Sequence, residues 1–273
     1  MHPLTQLDPL TAGRIDTVLC DIDDTVTTEG VLTARAYQAM EDLDHAGIRI
    51  IPITGRPAGW CDHIARMWPV FAVVGENGAF YMRYDRAGRK MIQHFWTSEY
   101  EREKNRQALS RLAQTILQEV PGCALASDQP YRSADLAIDF CEDVPRLDET
   151  AIDRIVQLFQ EAGAQAKVSS IHVNGWFGQY DKLSMTRTLI ERELPDMLQD
   201  MQQHTLFIGD SANDAPMFGY FDISVGVANV VGQIHRIATP PKFVCSKHSG
   251  DGFVEMANDL LRARKRAADP RQQ

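Results

Sequence analysis

The chain has 273 residues, 44% of them apolar, and a formal net charge of −9. That is enough apolar material for one large α/β domain or two smaller ones, each with a proper core. The acidic balance argues against a broad nucleic-acid-binding face, which requires Lys and Arg counter-charge, but it leaves room for a small anionic substrate if a metal or local Lys/Arg supplies positive field.

In chain order, IDTVLC (15–20) reads as a buried strand. Thr33 is placed to N-cap a helix that shows Tyr37, Met40 and Leu43 on one face, and Gly47 is placed to end it. IRIIPIT (48–54) is a second buried strand, a helix runs from the GRP break to about Trp68, and FAVV (71–74) is a third strand. Short apolar runs alternating with helical periodicity predict a parallel sheet covered by helices.

After YMRYDRAGRK the texture changes. Leu109, Leu112, Ala113, Ile116 and Val120 share one helical face, as do Ile152, Ile155, Val156 and Phe159. MIQHFW (91–96), ADLAIDF (134–140) and AKVSSIHV (166–173) read as strands around them. The expectation is a Rossmann-like parallel-sheet core, residues 1–86 and 179–273, with an α/β domain inserted at 87–178. The sheet texture returns in HTLFIGD (204–210) and DISVGV (222–227), and the chain closes with a helix striped by Phe253, Met256, Ala257, Leu260 and Leu261. The final RARKRAADPRQQ reads as a frayed, solvated tail.

Cys20, Cys61, Cys123, Cys141 and Cys245 are odd in number and form no C-x-x-C pair, which speaks against a zinc site or a disulfide framework. MHPLTQLDPLTAGR lacks a basic-then-apolar leader, and no run approaches the roughly 18 apolar residues of a membrane span. A cytoplasmic protein with neither a membrane nor a nucleic-acid partner is expected. The sequence carries no oligomerisation signal.

Asp21, Asp23 and Asp24 crowd the end of the first strand, although like charges 4 Å apart repel by roughly 1 kcal/mol even in water. In an extended segment Asp21, Asp23 and Thr25 share a face and Asp24 points the other way. The carboxyl end of a central parallel strand is also where open α/β sheets bind ligands. GDSAND (209–214) ends another apolar strand, bringing Asp210 and Asp214 to the same edge. Four carboxylates in one crevice are tolerable around a hard divalent cation such as Mg²⁺.

DIDDT, ITGR, the lone Lys182 of YDKLSM and IGDSAND resemble, in order, motifs one to four of the haloacid dehalogenase superfamily. GENGA (75–79), SVGVAN (224–229) and DGF (251–253) further resemble its Cof-type branch, whose α/β cap lies between motifs two and three. The resemblance spans almost the whole chain. It implies a Mg²⁺-dependent phosphatase acting on a small-molecule phosphate ester, most plausibly a sugar or polyol phosphate. On it Asp21 is the nucleophile that becomes an aspartyl-phosphate, and Asp23 is the general acid and then base. Thr54, with Gly55 and Arg56 beside it, contacts the phosphoryl group, and Lys182 neutralises that group and holds Asp21. Asp21, the Asp23 carbonyl, Asp210 and Asp214 position Mg²⁺, and Asn213 supports the Lys182 region. The chain departs from the branch at Leu183, where glycine is common, and Asp181 stands where it can pair with Lys182.

Rival readings are weaker. DIDDT is no EF-hand, because Val26 and Leu32 occupy the positions of its Gly and Glu. Gly209-Asp210-Ser211 imitates a GDS-type esterase block, but the one D-x-x-H, Asp42 to His45, lies upstream. A phosphomutase sharing the aspartyl-phosphate, and a silent phospho-ligand sensor, are the alternatives in function. In the insert, Tyr131, Arg132, His172, Asn174, Trp176 and Tyr180 are candidates for substrate contact, with Trp176 a possible platform for a sugar face.

Overall fold

A computed structural model describes residues 1–169 and 171–268. The first stretch runs β1 (His2–Pro3), α1 (Pro9–Gly13), β2 (Thr17–Cys20), α2 (Ala34–His45), β3 (Arg49–Pro52), α3 (Ala58–Met67), β4 (Val73–Gly75), β5 (Phe80–Asp85) and β6 (Lys90–Phe95). The middle holds α4 (Glu99–Glu119), β7 (Ala124–Leu125), β8 (Leu136–Asp139), α5 (Glu149–Glu161), β9 (Gln165–Val168) and β10 (His172–Trp176). The remainder is α6 (Lys182–Glu193), α7 (Met201–His204), β11 (Thr205–Gly209), α8 (Ala215–Tyr220), β12 (Ile223–Gly226), β13 (Phe243–Val244) and α9 (Ser249–Ala268).

The main sheet is parallel, in the order β1-β13-β12-β11-β2-β3. Its strands β2, β3, β11 and β12 are buried on both faces, so they appear in the sequence as near-continuous apolar runs rather than as period-two alternation. Val18, Cys20, Ile50, Leu206 and Ile208 face α2 and α9, whereas Leu19, Ile51 and Phe207 face α6 and α8. Each large side chain so buried contributes about 1.5–3 kcal/mol. Thr33 accepts from the Ala36 amide at 3.2 Å to cap α2, and Gly47 takes the left-handed φ of +75° that lets the chain turn into β3.

From β2 the chain winds outward through β3 and, by an Ile53–Val74 bridge, to the β4-β5-β6 meander; it later returns to β2's other flank as β11. The order therefore reverses between β2 and β11, and the crevice beyond their carboxyl ends is the place such sheets reserve for ligands. A second sheet, β7-β8-β10-β9, is antiparallel. Ile116 of α4, Phe159 of α5, Ile138 and Val173 lie in its own apolar cluster. Residue 87 falls in the tight connection between paired β5 and β6. None of the described helices is long and apolar enough to cross a membrane.

Three expectations are corrected. The 166–173 stretch is two antiparallel strands, because Ser169 turns the chain: its amide donates to His172 O (2.8 Å) and its hydroxyl accepts from the His172 amide (2.9 Å). Helix α9 runs through the basic tail to Ala268, since Ala263 continues the buried stripe and Arg264 donates to Ala46 O. Asp269–Gln273 lie outside the described residues. The third correction concerns the acidic segment: strand β2 ends at Cys20, and residues 22–27 form a turn in which the amides of Thr25, Val26 and Thr27 all donate to Ile22 O.

Candidate active site

Four sequence-distant segments meet beyond the ends of β2 and β11. Asp21 stays on the sheet for one more residue, its amide donating to Ile208 O at 3.0 Å. The turn that follows, with Asp24 at φ +57°, replaces strand alternation as the device that sorts the three acids. Asp21 is buried in the crevice, Asp23 is 22% exposed and turned to Arg56, and Asp24 lines a neighbouring groove.

Lys182 is the first residue of α6, and its Nζ lies 2.6 Å from Asp21 Oδ1 and 2.8 Å from Asp214 Oδ1. Asp181 does not pair with it. That carboxylate caps α6 by accepting from the Ser184 amide and hydroxyl, each at 2.8 Å. Burial disfavours the Lys182 ammonium, but Asp21 and Asp214 outweigh it and hold the amine charged. Burial pushes the Asp21 carboxyl up to about 7, with Asp214 and Asp23 adding to the rise and Lys182 opposing it. Asp210 is likewise pushed well up, by burial first and then by Asp21, Asp214 and Asp24.

Carboxylate oxygens of Asp21, Asp210 and Asp214 all lie within 4.8 Å of one another. Asp210 Oδ2 is buried with no hydrogen-bond partner. A buried acceptor of this kind costs about 1–3 kcal/mol, more if charged, unless something satisfies it, and an all-oxygen donor set suits a hard divalent cation. The residues fit the Mg²⁺ that the sequence implies; the carboxylate of Asp23 lies apart from this trio.

The ITGR loop closes another side. Thr54 is fully buried, its hydroxyl accepting from the Arg56 amide at 3.0 Å, while Gly55 and Arg56 form the cavity wall itself. Arg56 Nε is 3.0 Å from both oxygens of Asp23 and its Nη2 is 2.9 Å from Oδ1. The same guanidinium donates to Glu142 Oε1 at 3.0 Å and stacks 4.4 Å from the Trp60 ring centre. Asn213 accepts from the Ser211 hydroxyl at 2.7 Å and lines the cavity, so Ser211 serves the loop rather than a nucleophilic role.

The second sheet roofs the cavity with Arg132, Ser169, Ile171, His172 and Asn174. Trp176 is 1% exposed and stacks on Tyr180, both inside an apolar cluster with α3, so it offers no sugar platform. Tyr131 is exposed and outside the cavity lining. Arg132 is committed elsewhere: it donates to Asp128, Asp135 and Gly55 O at 2.9–3.1 Å. His172 Nε2 sits 2.8 Å from Glu142 Oε2. Its hydrogen bond, followed by the Arg56 charge, pulls the Glu142 carboxyl down to about 2 against the cost of burial.

Sequence reasoning missed Glu142 and passed over Glu76 within GENGA. No local pattern marks Glu142. Its position comes from Asp139, whose carboxylate accepts from the amides of Cys141, Glu142 and Asp143 at 2.7–2.8 Å. A signal for Glu76 did exist, in a single acid between an apolar strand and Asn-Gly.

The cavity enclosed by these groups is small, about 20 Å³, and it adjoins a groove of about 1090 Å³ that shares Ser169 and Asn213.

Residues 191–256 match the model of the haloacid dehalogenase-like hydrolase family. No curated protein sequence matches the chain. Among solved structures, a Thermoplasma acidophilum protein is 17% identical with a TM-score of 0.68, over 90% of this chain and 98% of its own. A HAD/COF-like hydrolase from Plasmodium vivax is 16% identical, TM-score 0.66, over 93% and 98%. The sucrose-phosphatase of a Synechocystis species, solved with sucrose and phosphate, is 16% identical, TM-score 0.60, over 90% and 97%. The segment carrying Asp210 and Asp214 is the one the family model matches, and the fold that seats it is shared with these solved structures over about nine-tenths of the chain.

Proposed function

We propose that the protein is a Mg²⁺-dependent phosphatase that hydrolyses a small phosphorylated metabolite, a sugar or polyol phosphate, through an aspartyl-phosphate on Asp21. The observation that carries this reading is Lys182 held 2.6 Å from Asp21 beside the Asp21–Asp210–Asp214 trio. A buried carboxylate kept in place by a cation, next to a metal-type donor set, is equipped to attack phosphorus. The sucrose-phosphatase among the structural neighbours supports the substrate class.

Asp21 Oδ attacks the phosphoryl group, the bond from phosphorus to the ester oxygen breaks, and Asp23 gives that oxygen its proton. Asp23 then takes a proton from water as the water attacks phosphorus, the Asp21–phosphorus bond breaks, and phosphate leaves. One oxygen of Asp23 must come off Arg56 for this exchange. Lys182 and the Thr54 hydroxyl proton contact the phosphoryl oxygens, with Gly55, Arg56 and Asn213 lining their site. Asp21, the Asp23 carbonyl, Asp210 and Asp214 would hold Mg²⁺, which would supply positive charge against the charge developing in transfer.

Residues 87–178 act as a cap on a core of 1–86 and 179–273. A cavity of about 20 Å³ holds little more than one water, so the ester requires the cap to lift, and its leaving group extends toward the adjoining groove. All five cysteines are free, which agrees with a reducing cytoplasm.

The test is a panel of sugar, polyol and other metabolite phosphates with Mg²⁺, read by phosphate release, for the wild type and Asp21→Asn. Release that depends on Asp21 supports the reading. Release unchanged in the variant removes Asp21 as nucleophile, and a wild type inert across the panel favours a phospho-ligand sensor.

A further inference from the structure

Glu76 is fully buried, yet it is a carboxylate. Its Oε1 accepts from the amides of Ala58 (2.9 Å) and Ser133 (2.8 Å), and its Oε2 from those of Ala134 (2.6 Å) and Asp135 (3.2 Å). Ala58 opens α3 in the core, while residues 133–135 belong to the loop before β8. One side chain thus ties the cap segment to the core through four N–H groups.

The backbone of the same turn reaches the catalytic loops. The Glu76 amide donates to Arg56 O at 3.2 Å and the Asn77 amide to Thr54 O at 3.0 Å. On the turn's other side, a Cβ at Gly78, where φ is +105°, would lie 2.0 Å from Asp181 O and 3.0 Å from the Lys182 amide. Glu76 and Asn77 both hold left-handed φ values, +44° and +55°. Such conformations are unfavourable for residues with a side chain and persist where surrounding contacts over-determine them. Arg132 closes the loop by donating to Gly55 O at 2.9 Å.

The cap loop, the Thr54–Arg56 loop and the Lys182 end of α6 therefore converge on three residues. An apolar side chain at this position would leave four buried amides without an acceptor. The carboxylate thus has a geometric task, gathering amides from two segments at one point.

We propose that Glu76 is a positioning residue that couples the seating of the cap to the placement of Thr54, Arg56 and Lys182. The inference rests on the phosphatase reading above. With residues 132–135 docked, the 76–78 turn is fixed and the catalytic groups stand in register; with the loop lifted, that turn loses three of its four side-chain partners and the register loosens.

The test is Glu76→Gln, which keeps the shape but turns an NH₂ group toward two of the amides. With p-nitrophenyl phosphate and Mg²⁺, kcat is expected to fall about 10–100-fold while KM changes less than about threefold, the pattern of lost transition-state positioning. Hydrogen exchange is expected to quicken at 57–60, 131–137 and 180–184 and to stay unchanged in β2 and β11. Arg132→Lys loosens the same seat from the cap side, and its effect should be smaller and non-additive with Glu76→Gln.

Quickened exchange with normal kcat would make the clasp merely structural, and so overturn coupling. Unchanged exchange at 131–137 would overturn the clasp itself. If Glu76→Gln fails to fold cooperatively, Arg132→Lys decides: a kcat loss with quickened exchange confined to those segments sustains the proposal, and a normal kcat or unchanged exchange ends it. The exchange arm needs no turnover, so an inert wild type counts against the phosphatase reading alone.

Discussion

Arg56 holds Asp23 by both carboxylate oxygens and, with the same guanidinium, reaches Glu142 in the segment after β8. A planar fork suits this double duty, and a point charge does not. Arg56→Ala should lower kcat/KM about 10–100-fold, or about 1.4–2.7 kcal/mol of transition-state stabilisation. Arg56→Lys should keep most of that loss despite preserving the charge. Steady-state kinetics with p-nitrophenyl phosphate measure both. A lysine variant at wild-type level would show that the fork geometry is not used.

Lys182 compensates Asp21 and Asp214 in a place water hardly reaches. Removing one partner of such a buried arrangement leaves charge uncompensated and costs about 3–5 kcal/mol. Lys182→Met should therefore unfold at lower urea than the wild type in metal-free buffer, with Mg²⁺ restoring part of the difference by supplying positive charge to the same oxygens. Identical urea midpoints without Mg²⁺ would mean the acids do not depend on this lysine.

Asp21 and Asp210 could be placed from sequence because strand ends fix them: Asp21 follows β2, Asp210 follows β11, and parallel pairing makes those ends neighbours, whereas Lys182, at the start of α6, was placed by the family resemblance alone. Thr33 and Gly47 were legible for the same local reason, a cap and a left-handed exit. Glu142 and Glu76 were not, since each acts on partners set by tertiary packing, 86 residues away for Arg56 and 57–59 away for the 133–135 amides. The hairpin at Ser169 has no Gly or Pro to announce it; a hydroxyl makes the turn. Trp176 carried no sign of its fate, because an indole reads alike whether it packs under α3 or faces a ligand.

Magnesium should stabilise the fold as well as permit turnover. A ligand at one hundred times its Kd that binds only the folded state adds about 2.7 kcal/mol, which for a chain of this size raises Tm by about 5 °C or more. Asp210 holds the buried oxygen with no other partner, so Asp210→Asn should abolish most of that shift while leaving metal-free Tm at or above the wild-type value. Thermal scans with and without Mg²⁺ give the answer, and an undiminished shift in the variant would move the cation away from Asp210.

Glu142 sets an acid limit on the contact between Arg56 and the segment after β8. Its carboxyl is pulled down to about 2 by the His172 hydrogen bond and the Arg56 charge, from an ordinary 4.5 when unfolded. For a carboxyl depressed in the folded state, the unfolded chain binds the proton first as pH falls, so the stabilisation is complete above about 4.5 and is lost as pH falls toward 2. Glu142→Gln cannot take part in that titration. The urea midpoint of the wild type should thus exceed that of the variant at pH 6, and the gap should narrow steadily by pH 3.5. Because the side chain is partly exposed, salt should shrink the gap at pH 6 as well. A gap that stays constant across this range would mean that Arg56, Glu142 and His172 hold these segments together by packing rather than by charge.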